Sequence, residues 1–420
     1  MTAPDRPSSR GAVRAVSRPG IVVATVVVAA LLVGGLAWWR HGQDTYVVPT
    51  GQAASARPAA EQPGQAAAAL AAWQQAVAAR RPEAAPGSAA RTATENATRL
   101  RLQDFSARYV ARSGAVADDG TWTADVDLTW RFGGVDAATA AEEVGVTFSP
   151  AGSRAVEISA FGDTDHRLPV WLTGPVQVRR TGETMVVVAG TGAAAERRAD
   201  EFADLATGAV ATVRRVLPWP HPDLVLEVPA DEAGVERMMG AAIGSYHGVA
   251  AVTASVDGST GGPVHVLVNP QVIGGLNSQG ARIVLSHEAV HAATDVTDTA
   301  MAPWLLEGFA DYVALRDVPL PLSTTARQIL AEVRQDGAPR HLPGAAEFND
   351  QSETFGAEYE AAWLACRLLA RIGGEQALVR LYDAVRDGAG LEATMRREMG
   401  LGVTAFTARW RQELTELAHA

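Results

Sequence analysis

The sequence predicts an α+β protein built as two successive units behind one apolar N-terminal segment. Three observations predict it. Residues 122–132 alternate strictly between apolar and polar side chains, as a half-buried antiparallel strand does. From about Thr191 onward, apolar runs of strand length are mixed with helical periodicity. Beyond residue 300 nearly every stretch has the spacing of helix.

The N-terminus comes first. Ile21 to Trp39 is a nineteen-residue apolar run, long enough to cross a bilayer core of roughly 30 Å as a helix. Arg6, Arg10, Arg14 and Arg18 precede it, so a cytoplasmic N-terminus is expected. A cleaved signal peptide is the competing reading. Its apolar core is usually about 7–15 residues, and Leu36-Ala37-Trp38-Trp39 makes a poor cleavage site. The expectation is therefore a basic tail at 1–20, an uncleaved single membrane span at 21–39 and an extracytoplasmic remainder. All 36 basic residues are arginine, and the formal charge is −11. An acidic chain without a basic cluster argues against nucleic acid as a partner. Cys366 is the sole cysteine, which excludes an intrachain disulfide, and its helical apolar neighbourhood predicts a buried, inert thiol.

Residues 40–63, rich in Pro, Gln, Ala and Gly, read as a flexible linker. The unit expected at 64–185 begins with a helix whose face carries Leu70, Trp73 and Val77, and a second helix follows Ser88. Strand alternation then takes over through Phe105/Ala107/Tyr109, Trp122 to Phe132, Val144/Val146/Phe148 and Val156/Ile158/Ala160. Asp125 and Asp127 fall on the polar face. Helices followed by an antiparallel sheet resemble cystatin-like and nuclear transport factor 2-like domains. That resemblance implies a pocket, although packing alone accounts for the aromatics.

The second unit is expected at 191–420. It opens with a helix through Ala194–Val216, then strands at Leu224–Val228 and Val264–Val268. A helix over Gln279–Thr294 carries His-Glu-Ala-Val-His at 287–291. On a helix this spacing puts His287 and His291 on one face, as a single Zn²⁺ needs, with Glu288 able to take a proton from metal-bound water. A catalytic zinc needs a third protein ligand. Pro303 is suited to open a new helix, with Asp298 or Thr299 near its cap. On that helix Glu307 and Asp311 share a face, so one can bind metal while the other holds a ligand histidine by its second ring nitrogen. A metzincin would continue with Gly at 294 and His at 297, but both positions are Thr. Asp295 and Asp298 have no supporting motif.

HEAVH followed by Trp304-Leu-Leu-Glu-Gly-Phe-Ala-Asp-Tyr312 resembles the gluzincins, the thermolysin- and aminopeptidase-like zinc metallopeptidases. The resemblance covers 279–316 and extends loosely to the C-terminus. It implies a zincin-like fold, Zn²⁺ as cofactor and a peptide or protein substrate. It also implies His287, His291 and Glu307 as ligands, Glu288 as general base and Asp311 as the partner of His287. Related enzymes draw an oxyanion donor from the C-terminal helices, which singles out Tyr359, with His341 as second choice. The strand at Val264–Val268 would be the edge that pairs with substrate. The spacer of fifteen residues between His291 and Glu307 is shorter than in the best-known members. No acidic cluster that would bind a free N-terminus is evident before residue 264, which tilts towards endopeptidase action. A catalytically silent zincin-like surface binding module is the alternative, and hydrolysis of a non-peptide amide is a third reading.

Overall fold

The computed structural model describes residues 62–152, 154–296, 300–348 and 355–420. The tail expected at 1–20, the span expected at 21–39 and nearly all of the linker expected at 40–63 lie outside the described residues. Among the described residues no helix is long and apolar enough to cross a membrane.

The chain is mixed α and β. Helices α1 (Pro63–Ala79) and α2 (Ser88–Leu100) come first. Four strands follow: β1 (Gln103–Ser113), β2 (Trp122–Arg131), β3 (Ala140–Pro150) and β4 (Val156–Phe161). They form an antiparallel meander in the order β1-β2-β3-β4. Strand β2 alternates buried and half-buried residues throughout, because its apolar side chains face α1 and α2 while Asp125 and Asp127 face outward. The aromatics largely fill this layer, and Trp130, Phe132 and Trp171 line only a small cavity against the second sheet. Trp73 lies 4.8 Å from Phe105, 5.0 Å from Phe161 and 6.4 Å from Trp171, ring centre to ring centre.

A second sheet has five strands in the order β5-β6-β7-β9-β8. They are β5 (Val176–Arg180), β6 (Thr184–Ala189), β7 (Leu224–Val228), β8 (Ala251–Ser255) and β9 (Val264–Val268). Strands β6, β7 and β9 run parallel, and β5 and β8 pair antiparallel at the two ends. Strand β5 lies ahead of the boundary expected between 185 and 191 and β6 runs into it, and both pair in the second sheet. The run Met185-Val186-Val187-Val188 of β6 is apolar without alternation because it is covered on both faces. Val186, Val188, Leu226 and Val266 face the helices of the second unit. Met185, Val187, Val225 and Leu267 face the core shared with the first sheet. The two sheets therefore stand in one compact unit, Pro58 to Ala420, with the first acting as a cover for the second.

Between the sheets lies a buried polar group. His265 of β9 is 1% exposed, with Nδ1 at 2.5 Å from Glu227 Oε1 and Nε2 at 2.9 Å from Asp136 Oδ1. Burial disfavours a charged ring here, but Asp136 and Glu227 outweigh it and push the His265 pKa up to about 10.

The remaining elements are helical: α3 (Gly192–Val213), α4 (Glu232–Met239), α5 (Ser278–Thr294) and α6 (Pro303–Leu315). Then come α7 (Arg327–Asp336), α8 (Phe355–Gly373), α9 (Glu375–Arg386), α10 (Leu391–Met399) and α11 (Val403–His419), besides short turns. Leu285, Ala289 and Val290 anchor α5 in the main core. Helix α8 runs through that core, with Ala361, Ala362, Ala365 and Cys366 fully buried, and Trp410 of α11 donates its indole N–H to Ala361 O at 3.2 Å. Cys366 is a free thiol whose pKa burial pushes well above its ordinary value.

Candidate metal centre

Helix α5 starts where the Asn277 side chain accepts the Gly280 N–H at 2.8 Å, satisfying one of the orphan donors of the first turn. It ends at Asp295, held at φ 50°. Between these ends, His287 and His291 stand one turn apart and each is 9% exposed, as is Glu288. Pro303 opens α6, as the sequence predicts. The cap position belongs to Ala302, which offers no side-chain acceptor. Asp298 and Thr299, the expected cap residues, lie outside the described residues.

Gly308 sets the distance between α6 and α8. A Cβ there would lie 2.3 Å from Ala362 O and 3.1 Å from Cys366 Sγ. With that side chain missing, α6 lies against α8 and its polar face turns to α5. Three donor atoms converge as a result. His287 Nε2 is 3.1 Å from His291 Nε2 and 3.1 Å from Glu307 Oε2, and His291 Nε2 is 3.5 Å from Glu307 Oε2. Tetrahedral donors about 2.0–2.1 Å from one zinc ion stand about 3.3–3.4 Å apart. The residues present therefore fit a zinc ion in both chemistry and spacing.

Asp311 Oδ1 lies 2.8 Å from His287 Nδ1. A proton on that nitrogen leaves the Nε2 lone pair aimed at the convergence point. Burial disfavours an imidazolium at His287, yet Asp311 and Glu307 outweigh it and raise its pKa well above the ordinary value. Burial likewise opposes ionisation of Glu307, but hydrogen bonds to His287 and His291 hold its carboxyl well below the usual range. His291 Nδ1 is buried and has no hydrogen-bond partner.

Glu288 points to the same opening. Burial raises its carboxyl pKa, against the pull of His287, His291 and a hydrogen bond from Thr253. Thr253, on β8, had no sequence signal. The opening is a cleft of about 550 Å³, whose apolar walls include Val249, Val252, Ile283, Val284, Val296 and Leu306. Tyr359 lines it too, its ring centre 6.1 Å from that of His287. Burial and the charges of Glu307, Asp311 and Glu288 push the Tyr359 pKa far above the ordinary range, so its hydroxyl remains a donor. His341, the second choice, has a side chain 71% exposed and is not among the lining residues.

The expected edge strand also changes. Strand β9 is internal, paired on both sides. The strand beside the cleft is β8, and Ala251, Val252 and Thr253 line the opening. Its sequence, Ala-Val-Thr-Ala-Ser, carries too little apolar content to be read as a strand. Tyr382 is a second residue that sequence reasoning missed. It stacks on Phe309 at 4.0 Å and places its hydroxyl 3.2 Å from Thr294 Oγ1, bracing both helices of the centre.

Asp125, Asp163 and His166 gather on the outer side of the first sheet. There His166 is engaged on both nitrogens, by Asp163 at 2.8 Å and Glu143 at 3.0 Å, as an ion-paired cluster. No protein-family model matches the chain, and no curated protein matches it.

Proposed function

We propose that the chain is a zinc metallopeptidase of the gluzincin type, held at the membrane by its N-terminal segment with the catalytic unit outside. One observation carries the reading: His287 Nε2, His291 Nε2 and Glu307 Oε2 converge at zinc-like spacing, with Asp311 behind His287 and Glu288 beside the opening. A mixed sheet with one antiparallel strand along the cleft also supports a zincin-like fold.

Held by these three atoms, Zn²⁺ would supply Lewis acidity to a water molecule and to the scissile carbonyl. Glu288 takes the proton of that water as its oxygen adds to the carbonyl carbon, and the raised pKa of the buried carboxyl suits it to this task. Glu288 then delivers the proton to the leaving amine. Tyr359 offers a hydroxyl to the developing oxyanion. A peptide in extended form pairs with β8, its side chains entering the apolar walls of the cleft.

Metal analysis and hydrolysis test this directly. The purified full chain should hold about one zinc, and Glu288→Gln should keep it while losing about 10²–10⁴-fold in peptide cleavage. A parent chain that never takes up zinc would return the protein to the silent binding module.

A further inference from the structure

Glu288 has two carboxylate oxygens, and they have different surroundings. Thr253 Oγ1 donates to Oε2 at 2.7 Å and lies 3.1 Å from the Glu288 backbone carbonyl. Oε1 has no hydrogen-bond partner among the described residues. Thr253 belongs to β8, which is registered against β9 through Thr253↔Val266. The hydroxyl thus comes from the strand along the cleft and reaches a side chain on the helix behind it.

We propose that Thr253 is the positioning residue of the general base: its hydroxyl fixes Oε2 of Glu288 against β8, so that Oε1 is the oxygen that takes the proton of the attacking water. The inference rests on Glu288 being that base. A carboxylate at the end of two methylene groups swings freely unless something holds it, and a hydrogen bond to a charged group is among the stronger ones. The link also spans the two walls of the cleft. A peptide paired with β8 and the base that acts on it share one strand as reference, which keeps the reacting atoms in register.

Kinetics of the zinc-loaded full chain test this. Val keeps the branched shape that suits a strand and removes the hydroxyl proton. Thr253→Val should lower kcat about ten-fold or more with KM within about two-fold and the zinc content unchanged. Thr253→Ser, which keeps the hydroxyl, should restore most of kcat. Parent-like kcat in Thr253→Val overturns the proposal, and so does an equal loss in the Val and Ser variants. A parent that cleaves no peptide defeats the peptidase reading instead. In that case crystal structures of the same variants decide: a Glu288 carboxylate turned away from β8 in Thr253→Val supports the positioning role, and an unchanged one overturns it.

Discussion

At the residue scale, the arrangement is a set of charges that contradict one another without a cation. Two imidazole nitrogens and a carboxylate oxygen face each other at 3.1–3.5 Å, and a metal-free His287 answers by holding a proton. Zinc must displace that proton, so its uptake should release acid and strengthen as pH rises. Asp311 bears on the metal through His287. Asp311→Asn should weaken zinc binding about 10–100-fold, measured by chelator competition, because the amide no longer fixes the ring and its tautomer. Zinc affinity equal to the parent would show that the 2.8 Å contact is incidental. His287, Glu288, His291, Glu307 and Asp311 were all legible, since helical spacing is a local property. Thr253 was not, because its contact with Glu288 crosses 35 positions of sequence and exists only once β8 lies beside α5.

At the scale of elements, one missing side chain controls the centre. Helix α6 carries both Glu307 and Asp311, and Gly308 allows its approach to α8. Gly308→Ala must push the helices apart or strain them, because the contacting atom is a backbone carbonyl. It should cost about 1–3 kcal/mol in urea unfolding and weaken zinc binding as well. An unchanged urea midpoint would mean that the helices can part at no cost. Periodicity put Glu307 and Asp311 on one face of α6, but the packing of Gly308 on α8 had no local signal because it joins positions more than fifty residues apart. The sheet was less legible. Strand β6 was not read in the sequence because a strand covered on both faces has no alternation to read. The edge position passed from β9 to β8 because strand order is decided by tertiary pairing, on which sequence order gives no information.

At the scale of the whole molecule, the buried His265 tests how firmly the layers are joined. Its folded pKa, about 10, lies above the ordinary 6.5. Its contribution to stability is therefore full below pH 6.5 and is lost as pH rises through about 10. The chain has no lysine, but His287 and His166 are also raised above their ordinary value, so the contribution of His265 is read from the difference between parent and variant. The parent's urea midpoint should fall across that pH range, and His265→Gln, weaker throughout, should show a flatter slope. A parent midpoint that stays level to pH 10 would mean that the ring is neutral between its two carboxylates.

The shared covering of the second sheet bears on how this protein can be cut down. A fragment starting near residue 191 would keep every residue of the metal centre but lose β5 and β6, and with them half of the sheet's edge. A fragment starting at Val176 would keep the strands yet lay bare Met185, Val187, Val225 and Leu267, an oily patch that invites self-association. A fragment that keeps both faces of the second sheet covered therefore begins ahead of Pro63. Upstream sequence that contributes no residue to the metal centre sets the minimal length of the folded unit.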